Sequence, residues 1–169
     1  EVIRDFWDWL GEADSLHHYI EKLCLVQISV ENGDFVIDPL VPLDLDPLTR
    51  ILSEKSLILH GADFDIRMLK KNFDFSPKKI FDTMIAAQLL GYERQGLADL
   101  VEKHCQVKLS KSEQRADWSR RPLNEKLIRY AANDTHYLKT LQAVMEEELA
   151  GLGRLDWLEQ SCNRLLQSL

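Results

Sequence analysis

Two β-rich runs, LCLVQISV at 23–30 and FVID at 35–38, flank Glu31-Asn32-Gly33-Asp34. Asn-Gly between such runs is a strong hairpin signal, because the tight hairpin turns need positive φ where Asn and Gly tolerate it. The run LILH at 57–60 is short, apolar and bounded by polar residues, so it reads as a buried strand. Beyond it the periodicity turns helical. Ile66, Leu69 and Phe73 share a helix face. Asp82 can cap a helix running through Leu90, with Gly91 ending it. Residues 97–105 form another short helix. Pro122 suits the first turn of a long helix reaching about Leu149. Leu127, Ala131, Leu138, Leu141 and Met145 would be its buried stripe. Gly151 and Gly153 break it, and an amphipathic helix follows to residue 168. Strands first and helices later, with one α-β-α stretch between, predict an α/β domain: a mixed sheet with helices packed on it.

The 169 residues suit one domain, and 45% hydrophobic content suffices for a single core. Lys and Arg number 21 against 28 Asp and Glu, a net charge of −7. That excludes a strongly basic nucleic-acid binder. It leaves room for a nucleic-acid enzyme, whose carboxylate metal site would itself add negative charge. No apolar run approaches the ~18 residues of a membrane span. The start, EVIRDFWDWL, lacks the pattern of a signal peptide. Cys24, Cys105 and Cys162 are far apart and form no CxxC, which predicts free thiols in a reducing cytoplasm.

Several chemistries lack their residues. There is no GxSxG elbow, no GxxxxGK[ST] loop and no GxGxxG fingerprint. The histidines show no HxxxH zinc spacing. The carboxylates say more. Asp65 follows the buried strand in HGADFDIRML. Tyr130 and Asp134 sit four apart in YAANDTHYL, so a phenol and a carboxylate share one helix face with Leu127 and Ala131. An inward Asp is costly unless paired, hydrogen-bonded or bound to metal. On spacing alone, a core tyrosine and a hydrogen-bonded aspartate explain the pair more simply than an active site does.

Longer strings change that reading. EADSLHHYIEKLCLVQIS, ILHGADFDIRML, IFDTMIAAQLLG, LSKSEQRADWSRRPL and YAANDTHYL occur in this order. Together, over about residues 12 to 165, they resemble the exonuclease domain of ribonuclease D and its relatives. This is the tyrosine-bearing branch of the Asp-Glu-Asp-Asp 3′–5′ exonucleases. The resemblance implies a ribonuclease H-like fold, a mixed five-stranded sheet flanked by helices. It also implies two divalent cations, Mg²⁺ or Mn²⁺, held by carboxylates on three motifs. The second-motif Asp matches Asp65, and the third motif, Tyr-x-x-x-Asp, matches Tyr130 and Asp134. In the first motif, Asp-x-Glu, Glu12 stands where the Glu belongs and Leu10 where the Asp belongs. Glu12, Asp65 and Asp134 are then the expected metal ligands, a hard oxygen set that suits these ions. Tyr130 is the expected catalytic residue, orienting the attacking water. The implied substrate is the 3′ end of single-stranded RNA, or DNA as the alternative. The implied product is a nucleoside 5′-monophosphate.

The segment 108–121 holds Lys108, Lys111, Arg115, Arg120 and Arg121 against Glu113 and Asp117, a local +3 that could guide a phosphate backbone. Lys111, Arg115 and Arg121 are the candidate nucleic-acid contacts there. A solvated loop with internal ion pairs is the equal alternative. His17 follows the first motif, where the family places the terminal nucleotide, and could stack on a base. GRLDWLEQSCNRL, within 152–169, resembles the linker helix that leads in full ribonuclease D proteins to helical RNA-binding domains. The expectation is a single exonuclease domain without them.

The N-terminus fits least well. Ile3, Phe6, Trp7 and Leu10 fall at i, i+3, i+4 and i+7, which predicts a helix over 3–10 ending at Gly11. The family's central strand, ending in Asp-x-Glu, must then follow, yet Gly11 runs straight into Glu12. One expectation is a short missing segment between about Trp9 and Ser15 that would carry the strand and the Asp. The other is a decayed metal site on a nuclease fold kept to bind nucleic acid or protein.

Overall fold

The computed structural model describes residues 23–110, 112, 113 and 116–169, and the backbone of 2–7. Five strands form one mixed sheet: β1 (Val2–Trp7), β2 (Leu23–Val30), β3 (Gly33–Ile37), β4 (Ser56–Leu59) and β5 (Lys79–Asp82), in the order β3-β2-β1-β4-β5. β1 runs antiparallel to β2 and parallel to β4; β2 and β3 are antiparallel, β4 and β5 parallel. The hairpin lies where Asn32-Gly33 predicted it, with Val30 opposite Gly33. Sequence reasoning missed β5: KIFD holds only two apolar residues and runs straight into the Asp82 cap of α3.

The helix expected over 3–10 is not there over 3–7, and 8–10 lie outside the described residues. Residues 2–7 are the central strand, with Asp5 opposite Val26 and Val2 opposite Ile58. The helical spacing is outweighed by the sheet. Without this strand, β2 and β4 would each present a row of unpaired N–H and C=O groups in the interior. Val, Ile, Phe and Trp are also good strand formers. The central strand expected to be missing is therefore supplied by residues 2–7. The segment 9–15, where a missing piece was expected, lies outside the described residues.

The helices are α1 (Asp46–Ser53), α2 (Ala62–Phe73), α3 (Thr83–Leu89), α4 (Leu97–Cys105), α5 (Glu125–His136), α6 (Leu138–Gly151) and α7 (Leu155–Ser168). The long helix expected from Pro122 to Leu149 is two helices that part at Tyr137. Its N-cap is Asn124, whose Oδ1 accepts from the Leu127 N–H at 2.9 Å, so Pro122 lies outside the first turn. The break follows from packing: α5 lies on β1, β2 and β3, whereas α6 lies on α3, α4 and β4. Thr135 and His136 fix the end of α5 to the hairpin. Thr135 Oγ1 lies 2.7 Å from Ser29 Oγ, Ser29 Oγ donates to Asp34 at 2.5 Å, and Asp34 meets His136 Nδ1 at 2.7 Å.

β2 feeds two apolar clusters, and over 25–28 its side chains alternate between the two faces. Val26 and Ile28 join the large core of β4, β5, α2, α3, α4, α6 and α7. Leu25 joins the smaller cluster under α5, with Cys24, Trp118 and Ala131. All three cysteines are free thiols. Among the described residues, no helix is long and apolar enough to cross a membrane.

Candidate active site

Asp65 lies in the first turn of α2 and is 6% exposed. A carboxylate there gains from the helix dipole, yet burial demands further partners. The turn that delivers it is tightly specified. Gly61 has φ 69°, and a Cβ there would sit 3.2 Å from Met84 Cε. The buried Asp82 carboxylate accepts from the N–H groups of Gly61 at 3.1 Å and Ala62 at 2.8 Å. It also caps α3, accepting from Met84 at 2.8 Å and Ile85 at 3.3 Å. One side chain thus locks the entries of two helices, α2 among them. His60 Nδ1 meets Thr83 Oγ1 at 2.9 Å, and that hydroxyl donates to the Leu59 carbonyl at 3.1 Å, which adds a second tie between the same turns.

Tyr130 and Asp134 share one depression of about 260 Å³, whose walls include Ser110, Glu113, Lys126, Arg129 and Asn133. Asp134 is 7% exposed and Tyr130 is half-buried. The structure therefore brings the third-motif pair together, as their i,i+4 spacing allows. Asp65 is not among the residues that line this depression. Among the described residues no cluster of three metal-ligating side chains forms. Glu12, His17, Lys111 and Arg115 lie outside the described residues.

Trp118 is the supporting residue that sequence reasoning missed. It is fully buried, and its ring lies 5.9 Å from that of Tyr130 at 38°. Its signal was available: a tryptophan in an otherwise polar segment, ADWSRRPL, has no reason to be there unless it packs. Arg121 holds the same segment. Its Nε and Nη2 donate to Asp38 at 2.6 and 2.8 Å, its Nη1 to the Trp118 carbonyl at 2.7 Å, and its Nη2 to the Cys24 carbonyl at 2.9 Å. The guanidinium expected on a phosphate backbone is instead engaged in tying 118–121 to β2 and to the end of β3. The pairing holds Asp38 below the usual carboxylate range and raises Arg121. Opposite Tyr130, Glu113 is paired with Lys126 at 2.5 Å. The hydrogen bonds from Lys126 and Ser112 hold its carboxyl below the usual range.

Residues 11–150 match the family model described as 3′-5′ exonuclease. Ribonuclease D of Zymomonas mobilis is 39% identical over 87% of this chain, and the match spans 39% of that protein. The chain thus corresponds to about two fifths of that curated relative. Among solved structures, ribonuclease D of Escherichia coli, described as an exoribonuclease involved in structured RNA processing, superposes with a TM-score of 0.88. It is 29% identical, over 99% of this chain and 44% of that one. NrnC of Brucella melitensis with bound Mg²⁺ gives 0.83 at 28% identity, over 98% of this chain and 81% of that one. The same protein bound to pGG gives 0.84. These structures carry the ribonuclease H-like fold expected from the motifs.

Proposed function

The chain belongs to the 3′–5′ exonuclease family, and on that premise we propose that it shortens single-stranded nucleic acid, RNA in the first instance, from the 3′ end. The observation that carries this reading is the shared depression of Tyr130 and Asp134. The product is a nucleoside 5′-monophosphate.

Asp65 and Asp134 are buried carboxylates, the donor chemistry that Mg²⁺ and Mn²⁺ prefer. With Glu12 they would hold two such cations, in keeping with the Mg²⁺ found in NrnC. When bound, the ions polarise the scissile phosphate, lower the pKa of water and stabilise the leaving oxygen. Tyr130 would orient the attacking water and take part in moving its proton. The Trp118 ring fixes the plane of that phenol, and burial of Trp118 denies it alternatives. Asp82 fixes the turn before Asp65.

The test is a time course on a 5′-labelled single-stranded RNA with Mn²⁺. A ladder of products shortened from the 3′ end, with release of mononucleotides and arrest at a 3′-phosphate, is expected. Cleavage of a circular single-stranded RNA would overturn it. Binding without any metal-dependent cleavage would instead favour a nucleic-acid-binding module, the reading that Leu10 at the first-motif Asp position supports.

A further inference from the structure

The depression around Tyr130 and Asp134 has a cationic side on the same helix. Lys126 lies one turn before Tyr130, and both line it. At 1.5 Å per residue, Lys126 and Asp134 are about 12 Å apart along the axis of α5. A ligand laid along α5 therefore meets a cation at one end and a carboxylate at the other.

Each cation of this wall already faces an acid, and the two pairs differ. Arg129 and Glu125 are 3.4 Å apart, both largely in solvent, one turn apart on α5. Such a helix-surface pair contributes little. Lys126 reaches instead to Glu113, on the connection that precedes α5, at 2.5 Å; Glu113 is 17% exposed and Lys126 70%. Ser112 Oγ donates to the same Glu113 carboxylate at 2.6 Å. The acid is thus sheltered and held from its own segment, while the lysine keeps a flexible, solvated stem. Glu113 thus places an anion on Lys126, at the end of the depression away from Asp134.

Resting on the exonuclease reading, we infer that Lys126 is a substrate-positioning residue that exchanges the Glu113 carboxylate for a backbone phosphodiester on the 5′ side of the scissile linkage. The exchange swaps one monoanion for another at the ammonium and leaves the Glu113 carboxylate to Ser112 Oγ and solvent. A longer strand supplies such a phosphate. A released nucleoside 5′-monophosphate has none upstream, so Glu113 recovers Lys126 as the product leaves. A glutamate carboxyl is ionised at neutral pH, so that competing anion is present throughout.

The experiment measures binding of a 5′-fluorescein-labelled single-stranded oligouridylate by anisotropy in EDTA, where cleavage is suppressed. It compares the wild-type chain with Glu113→Gln, Lys126→Gln and the double variant. Lys126→Gln should weaken binding about fivefold and reduce the slope of log K against log salt by about one. Glu113→Gln should tighten binding about threefold, because the lysine is then released from its competitor. The double variant should bind like Lys126→Gln, since the gain acts only through the lysine. Weaker or unchanged binding by Glu113→Gln, or a double variant that keeps its gain, overturns the exchange. A Mn²⁺ cleavage assay on the wild type separates the two claims. Mononucleotide release with no gain in Glu113→Gln removes the exchange alone. Neither binding nor release by the wild type removes the exonuclease reading and the exchange with it.

Discussion

Arg121 and Asp38 form a two-pronged ion pair, 2.6 Å from Nε to Oδ2 and 2.8 Å from Nη2 to Oδ1, that joins the segment before α5 to the end of β3. Both side chains are a little over one quarter exposed, so solvent screens the pair only in part. Lysine keeps the charge but loses the fork and the carbonyl contacts to Cys24 and Trp118. Arg121→Lys should therefore cost about 2 kcal/mol, read from urea unfolding. Asp38 has a folded-state pKa below its unfolded value. Its contribution is complete above the unfolded value of about 3.9 and is lost as pH falls through the lower folded value. The stability gap between wild type and Arg121→Lys should accordingly narrow in acid, below about pH 4. A gap that stays constant as pH falls through that range would mean the pair does not hold in solution.

His104 gives a second case of the same sign, near neutrality and from a different cause. Its side chain is 7% exposed, its Nε2 has no partner among the described residues, and its ring stacks on Tyr92 at 5.7 Å. Burial pushes its pKa down; Glu148, 3.9 Å away, pulls up less strongly, and Lys103 adds to the lowering. The unfolded chain then binds a proton that the folded one refuses. Stability should rise with pH between the folded value and the unfolded value of about 6.5, and fall as acid is added through that window. His104→Gln should flatten this part of the curve. Melting temperatures of both proteins from pH 7 to 5 test it, and parallel curves would refute it.

The uneven legibility of the sequence has physical causes. Asn32-Gly33 and the Asp82 cap are local signals and lie as read. Ala131, Leu138, Leu141 and Met145 are buried as expected, but Leu127 is only half-buried and the stripe is divided between α5 and α6, over two clusters. The strand at 2–7 is not local. Its periodicity fits a helix, and only the needs of β2 and β4 on either side make it a strand. The split at Tyr137 likewise depends on what α5 and α6 pack against. Tyr130 and Asp134 could be paired from their spacing, because a helix fixes it. Trp118 and the Arg121–Asp38 pair link segments far apart in the chain, and no spacing rule reaches across them.

The site residues predict divergent kinetics. If Asp134 holds a cation as proposed, Asp134→Asn removes a buried ligand charge, and metal-dependent cleavage should fall by at least about a hundredfold with a drop in metal affinity. Tyr130→Phe removes only the hydroxyl. Turnover should fall by about ten- to a hundredfold while metal affinity stays near the wild-type value. Isothermal titration with Mn²⁺ alongside single-turnover cleavage distinguishes them. Equal loss of metal binding in both variants would show that the two roles are wrongly assigned.

Gln27 makes the last prediction. It is fully buried in β2, between Leu25 and Ser29 and opposite Val36, so it faces α5. Neither its Oε1 nor its Nε2 has a hydrogen-bond partner among the described residues. An unsatisfied buried amide costs about 1–3 kcal/mol, whereas an apolar group of the same shape avoids that cost. Methionine is close to glutamine in length and volume and has no strong donor or acceptor. Gln27→Met should therefore leave stability unchanged or raise it by about 1 kcal/mol. Gln27→Glu should do the reverse, because it buries a carboxylate where even an amide is unpaired. Denaturant midpoints for the three proteins give the order Met at or above Gln, with Glu lowest. If methionine instead costs more than about 1 kcal/mol, the amide is satisfied in solution, and a bound water beneath α5 becomes the account of Gln27.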